Sequence, residues 1–242
     1  MPLDFPTCSL PRTLLHRIGY GPDPLAPPDW VRALPDGTFG GRFDDPRHPT
    51  IPAAQRYQVL YLATTPTGAY GETIARWRPS LRTLIAAPGV AGRGSHGLVP
   101  RTWRDPRRLA SARALSALPI VDVEDPDTAQ FCRAVLAPLA DARGLSDIDI
   151  SVVTGPQRRL TQALAAMIYE EGRPTSPAYG GLRYVSRLNR AWECWALFIG
   201  RCVVLPQRVI PIPDDDPSLH DAARILHLDI EADTGAMAII SP

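Results

Sequence analysis

The chain has no lysine: all 26 positions counted as Lys or Arg are Arg. That absence excludes a Schiff-base mechanism and a phosphate loop built around a lysine. Compositional drift towards Arg, Ala and Pro is enough to account for it. Cysteine is also scarce, at four residues. Cys8, Cys132, Cys194 and Cys202 show neither CxxC spacing nor a neighbouring His pair, so no zinc site and no disulfide framework is signalled. No apolar run approaches the roughly eighteen residues of a membrane span, and no secretory leader is evident. The expected setting is soluble, reducing and cytoplasmic, away from the membrane. Charge of one sign is missing too: the net value is +1, with acids and bases interleaved. A protein that coats nucleic acid would show a basic stripe. The local clusters Arg104, Arg107, Arg108 and Arg158, Arg159 read as solvated faces.

What is present is a globular composition, 242 residues with 45% hydrophobic side chains. The 27 prolines and 18 glycines stay below low-complexity levels and point to many loops on a folded body. No internal repeat or clean linker divides the chain, so residues 1–242 read as one α+β domain.

Residues 57–78, YQVLYLATTPTGAYGETIARWR, organise the rest. Val59 to Ala63 predict a buried strand. Thr65 then suits an N-cap and Pro66 the first helical position. The helix carries Glu72 beside Gly71, where the backbone has no side chain to shield an approaching group. Glu72 is either a catalytic carboxylate or the partner of Arg76 at i, i+4.

Upstream, TLLHRIGY predicts a strand with Arg17 inside it. A guanidinium there needs a partner if buried: it binds a ligand or lies on the solvent side of an edge strand. Residues 21–56 form a long loop, and loops beyond about fifteen residues are usually functional or mobile. Within it, Gly40 and Gly41 permit close backbone approach, and Arg42, followed by Phe43, offers a fork for phosphate or carboxylate. Downstream, a strand is expected over 81–90 and a loop over 91–117. A further strand is expected over 118–124, then a helix from Asp125 to about Pro138. The clearest helix spans 157–171, where Leu160, Ala163, Leu164, Met167 and Ile168 keep a helical period. Leu182–Val185 and Cys194–Ile199 read as strands joined through Asn189, with Ser186 closing the first. A last strand over 203–212 and a terminal amphipathic helix over 217–229 complete the reading.

Arg17, the Gly41-Arg42-Phe43 run, Tyr61 with Glu72 eleven residues later, and GLRYVSR ending around Ser186 occur together in this order. The set resembles the RES-domain family, named for an Arg, a Glu and a Ser, over about residues 13–205. The resemblance implies an ADP-ribosyltransferase-like fold, with mixed and antiparallel sheets around a cleft and flanking helices. It implies a toxin that degrades NAD+ at the ribose–nicotinamide bond by hydrolysis or phosphorolysis. NAD+ would be the substrate, inorganic phosphate a co-substrate in the second case, with no other cofactor and no metal. Arg17 and Arg42 would hold the phosphates, with Gly41 and Phe43 in the same substrate-binding turn. Tyr61 would pack on the nicotinamide side, Glu72 would be the catalytic carboxylate, and Ser186 would hydrogen-bond near the reacting ribose. The implied partner is an Xre-like helix-turn-helix antitoxin; a homo-oligomer is left open. The loops at 21–56 and 91–117 depart from shorter members and leave the mode of antitoxin binding open. Two other readings stand beside this one. The chain either modifies a macromolecule with ADP-ribose, or is a non-catalytic binding protein in which Arg17, Arg42 and Glu72 form a structural ion-pair network.

Overall fold

The computed structural model describes residues 4–86, 97–142, 144, 146–149, 155, 157–173, 175–232 and 237–238. Its strands are β1 (Thr7–Cys8), β2 (Leu15–Tyr20), β3 (Val59–Ala63), β4 (Gly97–Val99), β5 (Arg107–Leu115), β6 (Ile120–Asp122), β7 (Gly181–Val185), β8 (Glu193–Phe198), β9 (Val203–Pro211), β10 (Leu228–Glu231) and β11 (Met237–Ala238). The helices are α1 (Pro66–Ile74), α2 (Leu81–Ala86), α3 (Arg101–Arg104), α4 (Pro126–Asp141), α5 (Arg158–Glu170) and α6 (Pro217–Leu226).

Eight strands form one sheet in the order β1-β6-β7-β8-β3-β2-β5-β9, and β11-β10-β4 form a smaller one. The large sheet is mixed: β6 and β7 run parallel while its other pairs are antiparallel. This is the expected α+β architecture. Because side chains alternate across a strand, β3 feeds two apolar clusters. Val59 and Ala63 join Leu182, Tyr184, Ala196 and Phe198 under helices α1, α5 and α6. Leu60 and Leu62 join Leu15, Ala114, Ile120, Trp195 and Leu197 on the other face. Among the described residues no helix is long and apolar enough to cross a membrane.

The β3–α1 unit follows from its local chemistry. Thr65 is extended, and its Oγ1 accepts from the Gly68 N–H at 3.1 Å, while Pro66 opens the helix. Both devices satisfy or remove orphan donors of the first turn. The helix at 157–171 and the strands flanking Asn189 also lie where the pattern predicts.

Four expectations need correction. The strand expected over 81–90 is helix α2 as far as Ala86, and residues 87–90 lie outside the described set. Ser80 Oγ accepts from Thr83 N–H at 3.1 Å, and Leu81 and Ile85 remain exposed. Local capping therefore wins, because no sheet claims these side chains. The loop expected over 91–117 contains β4, α3 and the internal strand β5, residues 91–96 lying outside the described set. Its inward positions are mostly small: Ala110, Ala112 and Ala114 are buried beside Leu109, so the period-two signal was faint. Helix α4 runs through Pro138 to Asp141, with Leu136 and Ala140 buried on either side of the proline; packing holds the final turn despite the missing donor. The strand at 203–212 is not the last, since His227 leaves α6 in the left-handed region, φ 54°, and turns the chain into β10.

The 21–56 segment is ordered around a buried acid. Asp45 receives Arg47 Nε at 2.9 Å and Tyr57 N–H at 3.1 Å, and its own carbonyl accepts from Arg56. Arg56 also donates to the Gly37 carbonyl at 2.7 Å and lies over the Trp30 ring, 4.7 Å from its centroid. Arg47 reaches across to Glu170 of α5, tying this loop to the helix.

Candidate active site

Glu72 projects from the second turn of α1, and the helix is anchored on its other flank. Tyr70 is fully buried and its hydroxyl donates to Asp216 Oδ2 at 3.0 Å. Asp216 in turn caps α6 through the N–H groups of Ser218 and Leu219. Gly71 does not leave the backbone open, as the sequence suggested. A Cβ there would stand 2.2 Å from the Trp192 indole, so the missing side chain makes room for that ring. Glu72 itself is exposed on one side and accepts from Ser186 Oγ at 2.5 Å. The two residues are 114 positions apart in the chain. Arg76, the alternative partner, has its guanidinium over Trp77, 5.3 Å from the ring centroid.

Ser186 is buried at the end of β7. Its N–H donates to the Trp192 carbonyl at 2.8 Å, and its hydroxyl oxygen accepts from Leu188 N–H at 3.1 Å. Asn189 shapes the hairpin beyond it, accepting from Ala191 N–H at 2.9 Å through Oδ1. The hydroxyl is thereby held in one place, with its proton directed at Glu72.

Arg42 arrives from the Gly41-Arg42-Phe43 turn, which a second carboxylate builds. Asp44 Oδ2 accepts from Gly41 N–H at 2.7 Å and Phe39 N–H at 2.8 Å, while Oδ1 accepts from the Tyr61 hydroxyl at 2.8 Å. The same hydroxyl accepts from Phe43 N–H at 2.9 Å. A Cβ at Gly41 would meet Asp44 Oδ1 and Tyr61 Oη at 2.4 Å, so this position needs glycine for space. Helix α5 clamps the turn from outside: Thr161 Oγ1 donates to the Arg42 carbonyl at 2.6 Å and Gln162 Nε2 to the Gly41 carbonyl at 3.0 Å. The Arg42 guanidinium lies over Phe43 and Tyr184, 5.2 and 5.3 Å from their centroids. Burial draws its pKa down; Tyr184, Glu72 and Tyr61 oppose that shift. Tyr61 and Tyr184, desolvated and close to Asp44 and to Cys194 and Glu72 respectively, have hydroxyls pushed well above the usual range and stay neutral.

Arg17 is placed differently from this group. Strand β2 lies between β3 and β5, so it is not an edge. Paired residues form one row across the sheet: Tyr184–Cys194, Cys194–Ala63, Ala63–His16. Paired residues share a face and neighbours in sequence oppose it, which puts Arg17 on the face opposite Tyr184. There its Nε donates to the Pro24 carbonyl at 2.9 Å and its Nη1 to the Tyr61 carbonyl at 3.1 Å. The ladder between β2 and β3 is reduced to the pair His16–Ala63. Arg17 thus supplies a donor to β3 where the strands part. Burial brings its pKa down to about 10, and it stays charged at neutral pH.

A model of the RES domain matches residues 14–220. The chain belongs to the RES-domain family. No curated protein matches it. Among solved structures, the M. tuberculosis MbcT-MbcA toxin-antitoxin complex aligns at 13% identity and a TM-score of 0.45, covering 85% of each chain.

In this RES domain three side chains of the site carry no sequence signal of their role. Tyr184 lies inside the quoted GLRYVSR run, but nothing local marks its ring as the support of Arg42. Trp192 reads as an ordinary strand-end aromatic until Gly71 is seen against it. Asp44 looks like half of a turn-forming Asp pair; its three hydrogen bonds hold the Arg42 turn. Among the described residues no group of three or more His, Cys, Asp or Glu side chains is placed to share a metal ion.

Proposed function

We propose that this RES domain is the toxin of a toxin–antitoxin pair and degrades NAD+ by cleaving the bond between ribose and nicotinamide. The observation that carries the proposal is the Ser186–Glu72 hydrogen bond, made between distant parts of the chain, with the Arg42 cation close enough to feel the carboxylate.

Cleavage of this bond turns a cationic nicotinamide into a neutral leaving group and moves positive charge onto the ribose. A fixed carboxylate beside that ribose stabilises the charge as it develops. At about 4 Å and an effective dielectric near 20 the interaction is worth roughly 4 kcal/mol, on the order of a thousandfold in rate. Ser186 sets the orientation of Glu72 before substrate arrives. Arg42 offers a planar, permanently charged fork for the diphosphate. Arg17 is assigned to joining β2 to β3, which leaves phosphate recognition to Arg42. Tyr61 secures the Arg42 turn with its hydroxyl while its ring flanks the core. Water as nucleophile gives nicotinamide, ADP-ribose and a proton; phosphate gives nicotinamide and phosphorylated ADP-ribose. A helix-turn-helix antitoxin that covers Glu72 and Arg42 would hold the activity in check.

The test is incubation of the purified protein with NAD+, with and without inorganic phosphate, followed by product analysis. Release of free nicotinamide together with ADP-ribose or its phosphorylated form is expected. An undiminished NAD+ pool under both conditions contradicts the proposal, and ADP-ribose found attached to a macromolecule redirects it to transfer.

A further inference from the structure

Arg42 sits on a loop, and a loop arginine ordinarily samples many rotamers, at a cost of up to about 2 kcal/mol in side-chain entropy when fixed. Here two rings confine it. Phe43 is fully buried beneath it, Tyr184 is 3% exposed, and the two rings meet edge to face with centroids 5.0 Å apart. The guanidinium lies 5.2 Å from one and 5.3 Å from the other. We infer that Tyr184 is a positioning residue that holds the Arg42 guanidinium, through its ring face, where the diphosphate of a dinucleotide is bound. The inference rests on the NAD+-cleaving reading of the same site.

Three features give it content. An aromatic face attracts a cation without adding a formal negative charge, so this contact does not compete with an anionic ligand as a carboxylate would. The Tyr184 hydroxyl stays neutral, since burial and the neighbouring Cys194 and Glu72 all disfavour its ionised form. The attraction therefore comes from the ring and is present at any ordinary pH. Finally, Tyr184 and Ser186 are two positions apart at the end of β7, about 6.6 Å at the rise of a strand. One orients Arg42 and the other orients Glu72, so this strand end fixes the distance between the anion-binding cation and the catalytic carboxylate.

The test compares Tyr184→Phe with Tyr184→Leu in steady-state NAD+ turnover, alone and combined with Arg42→Gln. Tyr184→Phe keeps the ring and is expected to leave KM within about twofold of the parent, whereas Tyr184→Leu raises KM about tenfold with kcat little changed. In the Arg42→Gln background Tyr184→Leu adds no further increase, because its effect runs through Arg42. A tenfold rise in KM for Tyr184→Phe, or an undiminished effect of Tyr184→Leu without Arg42, overturns the inference. If Tyr184→Leu does not fold, Tyr184→Phe still decides between ring and hydroxyl. Titration with inorganic pyrophosphate separates this inference from the reading it rests on. Binding weakened about tenfold by both Arg42→Gln and Tyr184→Leu supports the positioning role even in a protein that leaves NAD+ intact. Equal pyrophosphate binding by the parent and Tyr184→Leu overturns it.

Discussion

Replacing Ser186 with Ala removes one oxygen from the molecule and tests whether Glu72 is oriented or merely present. That oxygen donates to Glu72 Oε1 at 2.5 Å and accepts from Leu188 N–H at 3.1 Å. A hydrogen bond to a charged group is worth about 1.5–3 kcal/mol, and a neutral one about half as much. Glu72 is exposed on one side, so water replaces part of what it loses in the resting protein. Stability should therefore fall by only about 1–2 kcal/mol, a drop of roughly 2–8 °C in Tm for a chain of this size. The effect on turnover should be larger, because water cannot restore the fixed carboxylate geometry once substrate covers the site. A loss of about 1.5–3 kcal/mol from the transition state is about a 10- to 150-fold fall in kcat. Nicotinamide release under saturating NAD+ reads kcat, and thermal unfolding reads the fold. A folded Ser186→Ala protein with kcat within about twofold of the parent would refute the claim that this hydroxyl orients Glu72.

Other consequences follow from the supporting contacts. Tyr61→Phe strips Asp44 of one donor and leaves Phe43 N–H without its acceptor, so the urea midpoint should fall by the equivalent of about 1–3 kcal/mol, with KM rising more than kcat falls. Gly71→Ala forces a methyl to within 2.2 Å of the Trp192 ring; overpacking of this kind costs about 1–3 kcal/mol, and both Tm and kcat should drop. Asp45→Asn should destabilise the 21–56 segment by about 3 kcal/mol, because it breaks a paired buried charge. Asp45 also predicts a pH dependence. Burial alone would raise its pKa, but hydrogen bonds from Arg47 and the Arg47 charge outweigh burial and hold it below the ordinary value. Its stabilising contribution is then complete above the unfolded pKa, near 4, and is lost as pH falls through the lower folded value. Urea midpoints of the parent and Asp45→Asn should differ most near neutrality and converge below about pH 4; a constant gap would contradict this assignment.

The elements read best from sequence are those whose signals are local. Thr65 and Pro66 announce the start of α1, the apolar run before them announces β3, and the periodic stripe from Leu160 to Ile168 announces α5. Strand β5 escaped because its buried positions are, apart from Leu109, alanines, whose small side chains give little alternation against the surrounding Arg and Ser. Helix α2 escaped for the converse reason: Leu81 and Ile85 look like core residues but face outward, and only the Ser80 cap explains the turn. At the site, the residue types were legible and their partners were not. Glu72 and Ser186 meet across 114 positions, a juxtaposition no spacing rule can encode. Arg17 and Arg42 look equivalent as guanidiniums embedded among apolar residues. The sheet register separates them, placing Arg17 against the carbonyls of Pro24 and Tyr61 and Arg42 against two rings near Glu72.

In the proposed reaction the Glu72 charge drives departure of nicotinamide. Glu72→Gln keeps the shape and an acceptor for Ser186 while removing that charge, so single-turnover nicotinamide release by this variant tests the claim most directly. A folded protein of unchanged Tm is expected, with a release rate lower on the order of a thousandfold. Release at the parental rate by Glu72→Gln would contradict it.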